Sequence, residues 1–284
     1  MRRFCLTILA FVLSGATTLL PAQVSDVELA PETAAAFNRY FQATEARINS
    51  ELKRPGKFLY IDELPVARAE AIRKSLHKGE VYMQALGARG ATGDEIKAPD
   101  ALIHHWLGDV FVPDAKLHDV IAVVQDYDHH QDYYQSEVIR SRLMSRAGNE
   151  FKIFYRVRKR KVITVTLDTY HDVRYFPVDD THWHSQSIAT RIQEIEHAGE
   201  KDERAKPAGD DSGFLWRLDS WWRFEEKDGG VYVECESVSL TRDIPTGLGW
   251  LVGPFVTSIP KESLQNTMSS TRTALLKIVA SRKP

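Results

Sequence analysis

The sequence contains few of the features that mark specialised classes of protein. There are only 2 cysteines in 284 residues, which excludes a disulfide scaffold, and 16 glycines and 12 prolines are too few for collagen or a low-complexity chain. Its 37 basic and 39 acidic residues are interspersed, and the basic run at residues 156–161 is too short to mark a nucleic-acid surface. Nucleic acid is therefore not an expected partner. What remains, with 43% hydrophobic residues, is a folded protein with a sizeable core.

Motifs that mark common enzyme classes are also missing. The sequence has no Gly-x-Ser-x-Gly, His-Glu-x-x-His or Cys-x-x-Cys pattern. Residues 258–261 have the spacing of a penicillin-recognising nucleophile but lack its Lys-Thr-Gly and Ser-Asp-Asn partners, so Ser258 is expected to cap a helix. Gly247, Gly249 and Gly253 have the wrong spacing for a dinucleotide loop. We therefore predict no catalytic residue and no cofactor.

The histidines do not predict a metal site. His182 and His184 would share one face of a strand, but they lie at its start beside acidic residues, where side chains are commonly solvated. His104 and His105 are adjacent in a predicted strand and must point to opposite faces. At most one of that pair can therefore reach the interior.

The first 22 residues have the pattern of a secretory signal peptide. A basic start is followed by a short apolar run and small residues, and cleavage could follow Ala16 or Ala22. We therefore expect an exported protein, periplasmic or extracellular. Removal of the leader would leave Cys235 as the only cysteine, so no internal disulfide is expected.

The rest of the chain divides into an extension and a principal domain. Residues 23–100 are predicted as a helical N-terminal extension and linker, with helices over 31–53 and 65–78 and a short strand over 81–86. Residues 101–284 form the principal domain. Its strands are predicted at 102–112, 138–144, 151–157, 162–176, 182–195, 214–224 and 231–240. Residues 228–230, Asp-Gly-Gly, are a tight hairpin signal.

The chain ends in a long amphipathic helix. Leu264, Met268, Thr271, Leu275 and either Ile278 or Val279 recur on one face at spacings of three and four residues. Together the elements predict an α+β fold in which a curled, seven-stranded antiparallel sheet wraps around this helix.

This order of elements resembles the helix-grip fold of the START-like superfamily, which includes the polyketide cyclase/dehydrase and lipid-transport family. The likeness covers residues 101–282 and is carried by Val-Val-Gln-Asp-Tyr at 123–127, Tyr-Val-Glu-Cys-Glu at 232–236 and the closing helix. The resemblance implies an apolar ligand, such as a lipid, sterol or polyketide, held between sheet and helix. It implies no catalytic residue, because the superfamily has none in common.

Inward-facing positions supply the candidate ligand contacts. Alternation over residues 214–224 puts Phe214, Trp216, Leu218, Trp222 and Phe224 on one side, and the polar set Arg217, Asp219 and Arg223 on the other. Such a row fits a filled core and a ligand cavity equally well. The predicted ligand-binding residues are Tyr155, Leu167, Trp216, Leu218, Trp222, Phe224, Trp250 and Met268.

The sequence thus predicts a protein that binds a small hydrophobic or amphipathic ligand. One alternative is a cyclase or hydrolase that uses cavity groups such as Asp168, His171 or Arg191. The other is a structural envelope protein with a filled core. The apolar segment 248–255 could also make transient contact with a membrane, although burial against the final helix is the simpler expectation.

Overall fold

A computed structural model describes residues 28–91, 93–135, 137–161, 163–207, 210–243, 247, 253 and 258–282. The predicted leader, the candidate Trp250 and all of segment 248–255 except Gly253 lie outside these residues. The statements below concern the described residues.

The helices and strands predicted above are present in the predicted order, and further short elements lie between them. The helices are α1 (Pro31–Glu51), α2 (Val66–His77), α3 (Leu117–Val124), α4 (His130–Tyr133) and α5 (Ile259–Ser281), with a short 3₁₀ helix (Tyr60–Glu63) before α2. The strands are β1 (Tyr82–Ala85), β2 (Ala101–Pro113), β3 (Val138–Ala147), β4 (Glu150–Arg160), β5 (Thr164–Pro177), β6 (His182–Glu196), β7 (Arg204–Ala205), β8 (Arg217–Lys227) and β9 (Gly230–Arg242).

The strands form one curled antiparallel sheet in the order β1-β2-β9-β8-β6-β5-β4-β3, with β7 paired to β6. The α+β helix-grip architecture is confirmed, but the count of seven strands is wrong, since the described chain has nine. Strand β1, predicted as part of the extension, pairs with β2 and so belongs to the sheet. Strand β7 has only two residues, too few to leave an alternation pattern in the sequence.

The β8–β9 hairpin forms where the turn residues predict it. Asp228 and Gly229 both have positive φ angles, 53° and 79°, as a two-residue turn of this hand requires. Lys227 pairs with Gly230 across the turn, and the register continues to Arg217 opposite Leu240. This hairpin fixes which residues of β8 and β9 share a face.

Helix α5 packs on one face of the sheet, here called the inner face. Pro260 lies in the first turn of the helix, as predicted, and Ser258 occupies the position before the helix, but its side chain makes no capping hydrogen bond. Buried residues on one side of α5 are Leu264, Met268, Thr271, Ala274, Leu275 and Val279. The close approach to β2 depends on Gly108, because a Cβ at that position would lie 2.9 Å from Cγ of Met268.

The N-terminal segment covers the opposite, outer face of the sheet. Phe37 and Tyr40 of α1 pack in one buried cluster with Trp221 and Leu240. Residues around the 3₁₀ helix and α2, namely Phe58, Leu59, Ile61, Ile72 and Leu76, pack with Phe111 and Tyr232. The extension therefore has a structural role that the sequence did not reveal: it buries the outer face of β2, β8 and β9.

A network of buried charges joins this segment to the sheet. Arg223, 2% exposed, donates from Nη2 to Oε2 of Glu51 (2.6 Å) and from Nη1 to the carbonyl oxygen of Phe58 (3.0 Å). Its Nε lies 3.4 Å from Oε1 of Glu234. Arg47 contacts both Glu51 and Glu236. The single side chain of Arg223 thus links α1, the segment before α2 and two strands.

Buried acids surround this arginine. Burial, together with the neighbouring Glu234, raises the pKa of Asp109 well above its usual range. Burial likewise raises the pKa of Glu234, while Arg223 opposes that shift. On the same face, His105 contacts Oε1 of Glu236 (2.5 Å) and the hydroxyl of Tyr40 (2.8 Å). Arg223 is therefore a central counter-ion in a region rich in buried carboxyl groups.

Candidate functional site

A cavity of about 290 Å³ lies between the inner face of the sheet and α5. Apolar side chains from β4 and β5, including Ile153, Val157, Val165 and Leu167, form one wall. Leu264 of α5 closes part of the opposite side. The inner face is thus only partly filled by side chains, and it leaves a space of the size and lining that small-molecule sites have.

Five of the eight predicted contact residues line this cavity. They are Tyr155, Leu167, Leu218, Trp222 and Phe224. Phe214, placed in the same inward row by the sequence, lines it as well. A role for these residues in ligand binding stays a prediction, and Trp250 lies outside the described residues.

Trp216 does not line the cavity. It precedes the first residue of β8, so the two-residue alternation that begins at Arg217 does not govern its direction. Its Nε1 donates to Oδ1 of Asp211 (3.0 Å), and its ring joins the buried cluster that contains Phe37 of α1. The prediction that Trp216 faces the space between the sheet and α5 is therefore wrong.

Met268 is not a lining residue either. Its side chain is fully buried in the main core cluster, where it packs over Gly108. Met268 was correctly predicted on the buried face of the final helix. At this level, however, the helix lies directly on β2, and no open space separates the two.

Hydroxyl groups in the cavity were missed by the sequence analysis. Cavity-lining serines and threonines of β6, β8 and β9 are Ser185, Ser187, Ser220, Ser237, Ser239 and Thr241. The same alternation that selected Trp222 and Phe224 also places Ser220 inward, two residues before Trp222. The sequence analysis considered the apolar side chains of this face, so it did not identify the hydroxyl groups between them.

His104 lines the cavity, whereas its neighbour His105 faces the outer side, as adjacent strand residues must. Burial lowers the pKa of His104 to about 4, so the ring is neutral at pH 7. Its Nε2 lies 3.0 Å from Oγ1 of Thr241.

One histidine–tyrosine pair lies within the cavity wall. The hydroxyl of Tyr155 lies 2.7 Å from Nδ1 of His130, and Nε2 of His130 lies 3.1 Å from the carbonyl oxygen of Val123. Because a carbonyl can only accept, Nε2 carries the proton and the Tyr155 hydroxyl donates to Nδ1. Burial lowers the pKa of His130 to about 4 and raises the pKa of Tyr155 well above its usual range. Both ring nitrogens are occupied, so this pair is poorly suited to proton transfer at pH 7.

His171 is the candidate catalytic residue that does reach the cavity. Its Nδ1 lies 3.3 Å from Oγ of Ser187 and its Nε2 lies 3.0 Å from Oγ1 of Thr169. Burial lowers its pKa to about 4. The Ser187–His171 contact places a hydroxyl beside a base, as in a nucleophile–base pair. However, Nε2 of His171 faces the hydroxyl of Thr169, where a catalytic triad has a carboxylate that orients the ring.

Asp168 and Arg191 do not join His171. Asp168 lies between Leu167 and Thr169, which both line the cavity, so its side chain points to the outer face. There it makes a two-pronged ion pair with Arg156, at 2.7 and 2.9 Å. The guanidinium of Arg191 lies 3.7 Å from the ring centre of Tyr170. Of the three residues named as possible cavity groups, His171 lines the cavity, and the placement of Asp168 and Arg191 there is wrong.

A charged pair stands at the rim of the cavity. Lys159 of β4 forms an ion pair with Glu137 and donates to Oγ of Ser263 on α5 (2.5 Å). Burial lowers the pKa of Lys159. Glu137, Lys159 and Ser263 line both the cavity and an adjoining surface pocket, so the cavity opens beside a polar rim.

Potential metal ligands lie away from the cavity. His197, Glu200 and Asp202 form an exposed group whose ligand atoms lie within 4.8 Å of one another. His182 contacts Asp179 (2.9 Å) and Glu225 (3.3 Å), while the ring of His184 stacks on Phe176 instead. Acidic groups at a surface commonly occur without an ion, so these contacts do not assign a metal site.

The comparisons with known proteins add a likeness of fold. No protein-family model and no curated protein matches the sequence. Similar solved structures include a STAR-related lipid transfer protein from Xanthomonas axonopodis, with 16% identity over 63% of this chain and 95% of that chain, and a TM-score of 0.43.

Two further examples are human STARD10 and the Zhui aromatase/cyclase from Streptomyces sp. R1128. STARD10 has 11% identity over 77% of this chain and 84% of its own, with a TM-score of 0.44. The aromatase/cyclase has 13% identity over 64% and 96%, with a TM-score of 0.40. Identities this low do not transfer a function from one protein to another. Separately, none of the helices in the described part of the chain is long and apolar enough to cross a membrane.

Proposed function

We propose that the protein binds a small hydrophobic or amphipathic molecule between the inner face of the sheet and α5. The observation that carries this proposal is the cavity of about 290 Å³, whose walls are apolar and aromatic with hydroxyl groups interspersed. So large an open space argues against the filled core that is expected of a purely structural protein. The polar rim formed by Glu137 and Lys159 suits a ligand with one polar end.

A hydrolase is the second candidate, and it is favoured by the contact between Ser187 and His171. The contact is long, and His171 lacks a carboxylate partner among the described residues. Ester hydrolysis that disappears in a Ser187→Ala variant would favour this function over binding alone.

We also propose that the protein acts outside the cytoplasm. The support is the leader pattern of residues 1–22. The expected result of N-terminal sequencing is a chain that begins after Ala16 or Ala22, recovered from the periplasm or the medium. A chain that retains Met1 in the cytosolic fraction would contradict this.

Trp222 provides the test of ligand binding, because its neighbour Trp221 is a matched control on the opposite face. Trp222 lines the cavity and lies 6.1 Å from Phe224 between ring centres, whereas Trp221 packs against Phe41 of α1. Replacing Trp222 by alanine should weaken the binding of an apolar ligand about tenfold, because roughly 1.4 kcal/mol of contact energy gives that factor.

The measurement is isothermal titration with oleate, a short-chain phosphatidylcholine and two polycyclic acids, cholate and 5β-cholanate. Trp221→Ala should lower the melting temperature and leave the affinity unchanged. Equal affinities for wild type and Trp222→Ala, or no saturable binding of any of the four compounds to wild type, would contradict the proposal.

A further inference from the structure

The floor of the cavity carries a row of serines in register. Ser187 of β6 pairs with Ser220 of β8, and Ser220 pairs with Ser237 of β9. All three line the cavity. Since neighbouring strands lie about 4.8 Å apart, the three hydroxyls extend over roughly 10 Å across the sheet.

Two further serines flank this row and are almost fully buried. Ser185 is 2% exposed and Ser239 is 5% exposed, and both line the cavity. Within the described residues, neither hydroxyl makes a hydrogen bond to the protein, and the same holds for Ser220 and Ser237. Among the described residues, these hydroxyls do not belong to the fully enclosed side-chain atoms that lack a partner, so their oxygens reach the open space of the cavity. They are therefore available to bond to a molecule held there. The five serines are called the hydroxyl floor below.

His104 adds an acceptor at the edge of the hydroxyl floor. It lies opposite Ser239 in the pairing of β2 with β9. Thr241 donates its hydroxyl proton to the carbonyl oxygen of Arg242 (3.2 Å), so Nε2 of His104 must donate to Thr241. The neutral ring then presents Nδ1 as an acceptor. The floor therefore offers hydroxyl donors together with a nitrogen acceptor.

The facing walls have a different character. Val157, Val165 and Leu167 project from β4 and β5, and Leu264 projects from α5. A molecule in the cavity thus meets the hydroxyl floor along one side. On the facing side it meets hydrocarbon, together with polar groups that already bond within the protein, such as Tyr155 to His130 and His171 to Thr169. A straight acyl chain could satisfy the walls, but it would leave the hydroxyl floor without partners.

We propose that the ligand is a facially amphipathic molecule, with an extended apolar body and two or three hydroxyl or carbonyl oxygens along one face. Those oxygens bond to Ser187, Ser220 and Ser237. This inference rests on the proposed function and specifies its ligand class. The hydroxyl floor disfavours ligands whose only polar group is at one end.

The test compares two probes that share a ring system. Cholate has three hydroxyls on one face, and 5β-cholanate has none. Isothermal titration should show that wild type binds cholate at least tenfold more tightly than 5β-cholanate. The triple variant Ser187→Ala/Ser220→Ala/Ser237→Ala should lose at least tenfold in affinity for cholate and keep or gain affinity for 5β-cholanate.

The matched control replaces three exposed serines, Ser50, Ser145 and Ser281, by alanine. This variant should bind both probes as wild type does. If the triple variant, called the floor variant, does not fold, Ser220→Ala and Ser237→Ala are measured as single variants. Each should weaken the binding of cholate and leave the binding of 5β-cholanate unchanged.

The outcomes separate the two proposals. Equal affinities of wild type for both probes, or an equal loss of both in the floor variant, would overturn the facial ligand and leave cavity binding intact. Tight binding of oleate with no measurable binding of cholate would overturn it in the same way. No binding of oleate, cholate or 5β-cholanate would overturn both.

Discussion

Replacing Arg223 by alanine is expected to lower the free energy of unfolding by about 3–5 kcal/mol, the usual cost of breaking a buried ion pair from one side. Arg223 is 2% exposed and contacts Glu51, Glu234 and the carbonyl oxygen of Phe58. Its removal leaves the buried Glu51 and Glu234 without this cation, and it removes a link between the N-terminal segment and the sheet. Urea unfolding at pH 7 is the measurement.

Arg217 is the control, since it lies on the same face of the same strand. It is only partly buried, and its guanidinium donates to the neighbouring backbone oxygen of Trp216 (2.9 Å). Arg217→Ala should cost no more than about 1 kcal/mol. A similar loss of unfolding free energy in Arg223→Ala and Arg217→Ala would mean that the buried charges around Arg223 do not hold the N-terminal segment on the sheet.

Leu275→Ala is expected to lower the free energy of unfolding by about 2–5 kcal/mol, as removal of a buried leucine side chain generally does. Leu275 is fully buried in the main core cluster, on the side of α5 that packs on the sheet. Its neighbour Leu276 is only partly buried and packs at the margin of that cluster.

Leu276→Ala should therefore cost clearly less than Leu275→Ala in the same thermal or urea unfolding measurement. A loss below about 0.5 kcal/mol for Leu275→Ala would place that side chain outside the core. The helix that closes the cavity would then be oriented differently.

Local patterns were sufficient to predict most of the sheet and the closing helix. Alternation in β4, β5 and β8 identified the inward side chains of Tyr155, Leu167 and Trp222, and the spacing of three and four in α5 identified Leu264 and Leu275. The turn at residues 228–230 fixed the β8–β9 hairpin. Each of these signals depends on residues close together in the chain.

Long-range partners could not be predicted in this way. Arg223 was assigned to the polar side of its strand, yet α1 covers that side and supplies Glu51, 172 residues away. Trp216 was assigned by alternation although it precedes the strand. The serines of the hydroxyl floor become a group only through the pairing of β6, β8 and β9, a register that no single segment reveals.

The central claim, that the cavity holds a small amphipathic molecule, is tested most directly by native mass spectrometry of the protein purified without detergent. We expect a discrete small-molecule adduct that disappears on denaturation and whose occupancy falls in Trp222→Ala but not in Trp221→Ala. An adduct-free protein that also fails to acquire a saturable adduct on incubation with oleate, cholate or 5β-cholanate would contradict the claim.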